Sequence, residues 1–291
     1  MEKLIDIRGL SKHYSRFSLQ DVNLTISPGT ITGLVGANGA GKSTILKLIL
    51  NLVRRDAGSI TIFGMDNIRQ EKEAKARIGV VFDEPCFHDL LTPLHIGRYM
   101  AGLYPTWDGS AYNGFLRQFG LPENKTVKEY SRGMKMKLSI ATAMSHHPQL
   151  LILDEPTSGL DPLVRDEILD MFLEFLQDEN RSILLSSHIT SDLDKIADTI
   201  ALMDNGRLLF HEEKDVLRET FALIRGGDAL LDMFDTDDLI GLRKNAFGFE
   251  ALCRRETLKH HTGIVTERPT IEEIMLFFTR NDKSHTDRCG A

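Results

Sequence analysis

The stretch ITGLVGANGAGKSTILKLILNL, residues 31–52, decides the fold of this 291-residue chain. It opens with a short apolar run typical of a buried strand, passes through a glycine-rich loop, and continues with the apolar periodicity of a helix. Its middle part fits the pattern G-x-x-x-x-G-K-[ST], in which backbone N–H groups surround phosphate oxygens. The sequence therefore predicts a strand, a phosphate-binding loop and a helix in succession, and with them a nucleotide site.

The phosphate-binding loop supplies the first candidate site residues. Lys42 would place a positive charge between the β- and γ-phosphates, and the Ser43 hydroxyl is a hard oxygen ligand suited to Mg²⁺. The positive end of the following helix would face the same phosphates. The candidate nucleotide-binding residues are Gly36, Asn38, Gly39, Ala40, Gly41, Lys42, Ser43 and Thr44. The alternative is a glycine-rich turn that only joins a strand to a helix.

The segments on either side predict the fold class. LIDIRGL and SLQDVNLTI, before residue 27, alternate between apolar and polar residues, as antiparallel strands do. Farther along, GVVF, LLILD and SILLS are buried runs, and a helical pattern separates the last two, which is typical of a parallel sheet with crossover helices. Between GVVF and LLILD, from Leu90 to about His147, the pattern is helical with Gly and Pro breaks. We expect an α/β core, an antiparallel β subdomain and an inserted helical subdomain.

The carboxyl-terminal part has a different pattern, with short segments and a final helix that opens on a capping box from Thr270 to Glu273. We expect one domain over 1–217, with its helical subdomain at about 88–147, a small α/β accessory module over 218–280, and a disordered tail over 281–291. Ile271, Ile274 and Phe278 would form one face of the final helix, with Phe277 flanking it. We expect this face to dock on the strands of the module; the alternative is a surface that binds a partner.

Three polar residues follow buried strands of the predicted parallel sheet. Asp154 ends one strand and Glu155 comes next, where ligand sites gather in such sheets. Asp154 would hold Mg²⁺, and Glu155 could take a proton from the water that attacks the γ-phosphate. His188 follows the next buried strand and could contact the γ-phosphate. The catalytic candidates are therefore Lys42, Glu155 and His188; each acid or histidine alone would more often be a strand cap or an ordinary surface residue.

The net charge and the lengths of the apolar stretches limit the partners and the location expected for the chain. The net charge of −7 and the lack of a basic cluster argue against nucleic acid. No apolar stretch approaches the roughly 18 to 20 residues that span a bilayer. Charged residues near the start argue against a signal peptide, so we expect a cytoplasmic location.

Tyr130-Ser131-Arg132-Gly133-Met134, followed by KMKLSIATAMSHHPQLLILDEPTSGLDP, resembles the signature region of the ABC ATPase family. The resemblance covers about residues 2–220 and implies a P-loop, RecA-like core that binds ATP and Mg²⁺. It implies that Ser131 and Gly133 face the γ-phosphate held by a second subunit, since a capped helix start is an anion site. It further implies that Asp161 lies in a loop crossing the dimer interface and that Tyr14 stacks on adenine.

Three positions depart from the family pattern. Asp83 stands where the family has a glutamine that touches Mg²⁺, and Arg132 and Met134 replace the usual glycine and glutamine of the signature. A carboxylate is a good Mg²⁺ ligand, so we expect Asp83 to keep a metal contact and to alter hydrolysis, although it could also be a bystander. Arg132 could face phosphate or point to solvent.

The resemblance implies an ATP-hydrolysing subunit that powers export, in the manner of bacterial drug and antibiotic efflux systems. The expected partners are membrane permease subunits and a second ATPase subunit, identical or not, which together would hold the chain at the inner face of the cell membrane. The alternative is a soluble ABC ATPase that acts on ribosomes or nucleic acid. A nucleotide-binding regulator without turnover is weakened by the presence of both Glu155 and His188.

Overall fold

The computed structural model describes residues 3–84, 86–235, 238–260 and 264–286. The strands are β1 (Ile5–His13), β2 (Ser18–Ile26), β3 (Ile31–Val35), β4 (Ala57–Ile62), β5 (Met65–Asp66), β6 (Ile78–Val81), β7 (Leu150–Asp154), β8 (Ser182–Ser187), β9 (Thr199–Asp204), β10 (Arg207–Glu213), β11 (Phe221–Gly226), β12 (Leu239–Asn245), β13 (Gly248–Arg254) and β14 (Thr266–Glu267). The helices are α1 (Lys42–Ile49), α2 (Glu71–Lys75), α3 (Pro93–Leu103), α4 (Gly109–Gln118), α5 (Arg132–Met144), α6 (Pro162–Phe175), α7 (Thr190–Ile196), α8 (Lys214–Thr220), α9 (Asp228–Leu231) and α10 (Ile271–Thr286).

The central sheet has the strand order β10-β9-β3-β8-β7-β6. Its pairings are parallel except that of β10 with β9. β3, β7 and β8 are buried along their whole length, as expected for a parallel sheet between helical layers. Because parallel strands end at the same edge, the segments after these three strands meet there. The predicted α/β core is confirmed.

A second sheet, of order β2-β1-β4-β5, is antiparallel, as the alternating pattern predicts. Its inward side chains share an apolar cluster with α1 and with one face of the central sheet; examples are Ile5, Leu24, Ile45, Leu46 and Ile152. The helix after the phosphate-binding loop is therefore packed between two sheets. This packing fixes the direction in which its amino end points.

The helical insertion lies between β6 and β7 and contains α3, α4 and α5. Tyr112 and Leu116 of α4 and Leu138 of α5 form its own apolar cluster with Ile96 of α3. A capping box begins α3: the Thr92 hydroxyl accepts from the His95 backbone N–H, and Pro93 occupies the first turn. α5 also packs on β6, so this helix joins the insertion to the central sheet.

His146 fastens the end of the insertion to the central sheet. Its Nε2 lies 3.1 Å from the carbonyl oxygen of Ile78, and its ring stacks on Tyr104 at 4.0 Å. Burial lowers the pKa of His146 from its ordinary 6.5 to about 4, because the charged imidazolium would lose its hydration. The histidine is therefore neutral at physiological pH and donates from Nε2.

We predict that this histidine makes the stability of the chain depend on pH. Since the unfolded chain binds the proton near pH 6.5 and the folded chain only near pH 4, stability is fully present above pH 6.5 and is lost as pH falls toward 4. At about pH 4.5 the loss from this group alone should be about 2–3 kcal/mol. Urea unfolding at neutral and acidic pH should show the stability advantage of wild type over His146→Gln shrinking by that amount. An advantage of wild type that stays constant from neutral to acidic pH would contradict this role of His146.

The carboxyl-terminal module has a third sheet, antiparallel and of order β12-β13-β11-β14. Its helix α10 begins at the predicted capping box, where the Thr270 N–H and hydroxyl both donate to Glu273. Ile271, Ile274 and Phe277 are buried, whereas Phe278 is only partly buried. The buried face is thus turned slightly from the one the sequence predicts.

α10 packs on the module strands β12 and β13 and on the core helix α7. Ile271, Ile274 and Phe277 share one apolar cluster with Leu193 and Ile196 of α7. The expected docking on the module strands is therefore found together with a contact to the core that the sequence did not predict. The helix also extends to Thr286, into the segment for which the sequence predicts disorder. Residues 287–291 lie outside the described residues, and the domain boundaries remain predictions.

Candidate active site

The loop between β3 and α1 passes close to the end of β9. A Cβ on Gly36 would lie 2.3 Å from the Met203 carbonyl oxygen, so no larger residue fits without moving backbone. Gly41 has φ of 110°, in the left-handed region, and a Cβ there would lie 2.9 Å from the ring of Phe17. Both glycines of the sequence pattern are therefore required by the fold as well as by any phosphate.

Lys42 is the buried cation of the site. Its Nζ donates to the carbonyl oxygens of Gly36 at 2.8 Å and Ala37 at 3.3 Å, and lies 3.3 Å from Glu155 Oε1. The residue is only 5% exposed, so its charge needs this carboxylate nearby. The ammonium group thus connects the phosphate-binding loop to the end of β7.

Ser43 and Asp154 place two oxygen atoms next to the loop. The Ser43 hydroxyl donates to Asp154 Oδ1 at 3.1 Å. Among the described residues, no group of three or more His, Cys, Asp or Glu is arranged to enclose a metal. Mg²⁺ is usually bound by one or two protein oxygens together with phosphate and water. The donor set therefore fits a magnesium ion that arrives with the nucleotide.

Ser186 supports both acids, and the sequence patterns did not identify it. Its hydroxyl donates to Asp154 Oδ1 at 2.6 Å and accepts from the Glu155 N–H at 3.2 Å. The parallel register pairs Asp154 directly with Ser186 in the neighbouring strand. The side chain is fully buried, so these contacts are shielded from water. The only sequence signal was a polar residue near the end of an otherwise apolar run.

Glu155 lies between Lys42 and His188. Its Oε2 lies 2.6 Å from His188 Nδ1 and accepts from the His188 backbone N–H at 3.2 Å. Glu155 has φ of 51°, a left-handed conformation that costs a non-glycine residue about 1–3 kcal/mol. Three candidates from separate parts of the sequence, Lys42, Glu155 and His188, are therefore in one connected group.

A cavity of about 680 Å³ opens beside this group, a size typical of small-molecule sites. It is lined by Arg16, Phe17, Asn38, Gly39, Gly41, Lys42, Ser43, Thr44, Asp83 and Glu155. Arg16 and Phe17 were not identified from the sequence; they follow Tyr14 in the turn between β1 and β2. Tyr14 is 45% exposed, and its ring centre is 6.4 Å from that of Phe17. It lies beside the lining residues and not among them.

Three further candidates lie away from the cavity lining. Ser131 is the N-cap of α5 and accepts from the Met134 N–H, and Gly133 lies in the first turn of that helix. Asp161 is the N-cap of α6 and accepts from the Val164 N–H. A single chain thus assembles the phosphate-binding loop and the acids but leaves the signature residues outside the cavity.

Two of the residues that depart from the family pattern, Asp83 and Arg132, contact each other. Arg132 Nη2 donates to Asp83 Oδ1 at 2.8 Å. The sequence left two orientations open for Arg132, toward phosphate or toward solvent. In the structure its guanidinium points instead to the Asp83 carboxylate in the cavity wall.

Comparison with known proteins agrees with this geometry. The family model described as ABC transporter matches residues 19–158. The ABC transporter ATP-binding protein YtrB of Bacillus subtilis (strain 168) is 31% identical over 242 residues, covering 83% of this chain and 80% of that protein. The chain belongs to the ATP-binding subunits of ABC transporters.

Two other relatives support the same assignment. The bacitracin transport ATP-binding protein BcrA of Bacillus licheniformis is 36% identical over 215 residues, covering 72% of this chain and 69% of that protein. A solved structure of an ATP-binding subunit of an ABC transporter has a TM-score of 0.68 and 30% identity, covering 74% of this chain and 92% of that one. As an ABC ATPase, the chain takes ATP with Mg²⁺ and hydrolyses it.

We predict that Ser186 sets the affinity of the site for magnesium. Ser186→Ala removes the donor that orients Asp154, and losing such support of a metal ligand typically costs about 10–100-fold in metal affinity. ATPase assays at increasing Mg²⁺ should therefore show the half-saturating concentration raised by about tenfold or more. Ser145→Ala is the control, because Ser145 is equally buried and its hydroxyl bonds only a helix carbonyl oxygen, that of Ala141. Equal profiles for the two variants would contradict the role given to Ser186.

Proposed function

We propose that this chain is the ATP-hydrolysing subunit of an exporter, with Glu155 as general base and with permease subunits holding it at the inner face of the cell membrane. The observation that carries the proposal is the connected group of Lys42, Glu155 and His188 beside the phosphate-binding loop. One oxygen of Glu155 is next to a fixed cation and the other next to an imidazole. The carboxylate is therefore held in one orientation at the cavity wall.

Hydrolysis would use these residues as follows. Lys42 and the N–H groups of the loop hold the β- and γ-phosphates, while Glu155 takes a proton from the water that attacks the γ-phosphorus. The bond from that phosphorus to the β,γ-bridging oxygen breaks, giving ADP and inorganic phosphate. His188 keeps Glu155 in place and contacts the γ-phosphate. Ser43 and Asp154, with Asp83 in the cavity wall, would hold Mg²⁺, which offsets charge on the phosphate oxygens when bound.

A second cassette, identical or not, would complete the site. Ser131 is exposed at the start of α5, where a capped helix end presents N–H groups and a positive dipole. Together with Gly133 it would face the γ-phosphate held by the partner, with Asp161 at the interface and Tyr14 against the adenine. Because both subunits would then hold the same γ-phosphate, its release would remove the contacts that favour the closed pair.

We predict that Glu155→Gln separates binding from hydrolysis. The amide keeps the size of the side chain but cannot accept the proton, so turnover should fall by about 10²- to 10⁴-fold while MgATP still binds. Steady-state ATPase rates and calorimetry with MgATP measure the two effects. Glu219→Gln, at an exposed position in α8, should change neither. A Glu155→Gln variant with the parental rate would overturn the assignment of the base.

Membrane attachment is supported by the surface of the helical insertion. Among the described residues, no helix has the length and apolar character needed to cross a bilayer. Tyr99 and Leu103, four residues apart and so on one face of α3, are 69% and 57% exposed. Leu90, before α3, and Leu94, in its first turn, are also exposed, at 69% and 47%. Such a patch is typical of a surface that another protein covers.

The comparisons favour a transport role over action on ribosomes or nucleic acid, since both curated relatives above have transport names. The similarity to a bacitracin transport ATP-binding protein supports export over import. We infer that the permease subunits bind the patch on α3 and determine the cargo.

We predict that charges on this patch release the chain from the membrane. In cells that also make the membrane subunits, Tyr99→Asp combined with Leu103→Asp should lower the membrane-bound fraction several-fold. The permease would then have to bury two carboxylates where it covers apolar side chains in the wild type. Membrane sedimentation and immunoblotting measure that fraction. The purified variant should keep its ATPase rate. Val265→Asp, at an 80% exposed position of the accessory module, is the control and should remain bound. Full retention of the α3 variant would exclude this surface.

A further inference from the structure

Asp83 and Arg132 form an ion pair that connects three segments of the chain. Asp83 follows β6, Arg132 is the first residue of α5, and Nη2 lies 2.8 Å from Oδ1. The guanidinium also covers Gly159, in the loop after β7, where a Cβ would lie only 2.8 Å from Nη1. A side chain at position 159 would therefore displace Arg132. The guanidinium therefore lies against the loop after β7 as well as against Asp83.

The charged side chains that line the cavity indicate what the ion pair of Asp83 with Arg132 does for the site. The acids in the lining are Asp83 and Glu155, and the cations are Arg16 and Lys42. Glu155 has Lys42 at 3.3 Å, but the described ion pair of Asp83 is with Arg132, which lies outside the lining. Without Arg132, the Asp83 carboxylate would present a full negative charge to a triphosphate that is itself strongly negative.

We propose that Arg132 is a positioning residue: it neutralises Asp83 and holds its Oδ1, so that the cavity accepts an acid beside the terminal phosphates of MgATP. The inference rests on the proposed function, because it assigns Arg132 a part in the same site. With Oδ1 bound to Arg132, Oδ2 is the oxygen left for the cavity side. Asp83 and Arg132 therefore act as one neutral unit.

The strength expected of the unit follows from its exposure. Asp83 and Arg132 are 44% and 52% exposed, so water and salt screen the pair. Removing one partner should therefore change the apparent affinity for MgATP only about 3- to 5-fold at low salt. The effect should decline as salt rises from about 0.05 to about 0.5 M, because screening weakens the repulsion between Asp83 and the phosphates.

A double-mutant cycle tests the proposal on the purified chain. Arg132→Gln should raise the KM and the Kd for MgATP about 3- to 5-fold by leaving Asp83 unpaired. In the Asp83→Asn background, Arg132→Gln should change either constant by less than about twofold relative to Asp83→Asn alone, because no carboxylate is left for Arg132 to neutralise. Lys137→Gln is the matched control, since Lys137 also lies on α5 and pairs with an exposed acid, Glu167, away from the cavity. It should leave both constants unchanged.

Three results would overturn the inference. An equal loss for Arg132→Gln with and without Asp83 would mean that Arg132 binds phosphate directly. No loss in any variant would mean that the pair is an ordinary surface contact. A loss that does not vary with salt would indicate a steric cause. If wild type binds MgATP without hydrolysing it, the proposed function fails, yet the Kd values of the four proteins still test the pair.

Discussion

The site depends on one buried ammonium group. Lys42 is nearly inaccessible to water and has three donors, directed to two carbonyl oxygens of its own loop and to the carboxylate of Glu155. A buried charge is tolerated only with such compensation, and removing either partner would leave the other uncompensated. The lysine therefore fixes the shape of the loop and the position of the acid at the same time. The fold and the candidate chemistry cannot be separated at this residue.

The edge of the parallel sheet explains how residues far apart in sequence reach that ammonium group. β3, β7 and β8 are neighbours and end together, so the loop, the acid pair and the histidine converge without any long side chain having to bridge a gap. Ser186 completes the arrangement because the register sets it opposite Asp154. One buried hydroxyl then orients Asp154 through its side chain and Glu155 through its backbone N–H. Because these strands are short and fully buried, they fix the positions of the site residues more precisely than a loop alone would.

Much of this was predictable because the motifs are local. The residues of 36–44 fix their own turn, and strand ends are visible as apolar runs followed by Asp154, Glu155 and His188. The register of β7 with β8 is a long-range property, so Ser186 could not be found from the pattern. The contact of Asp83 with Arg132 crosses the helical insertion and was equally hidden. For α10, apolar spacing indicated a buried face but neither its rotation toward Phe277 nor its second partner, α7.

The contact of α10 with α7 gives the accessory module a physical relation to the site. α7 begins two residues after His188, and its Leu193 and Ile196 are buried against Ile271 and Ile274. Moving α7 away from α10 would expose this apolar surface to water, at a cost of about 25 cal/mol for each Å². The short helix, which could not be stable alone, is therefore held on both sides. Since His188 is held by Glu155 at one end and leads into this fixed helix at the other, the module helps to keep the imidazole within reach of the acid.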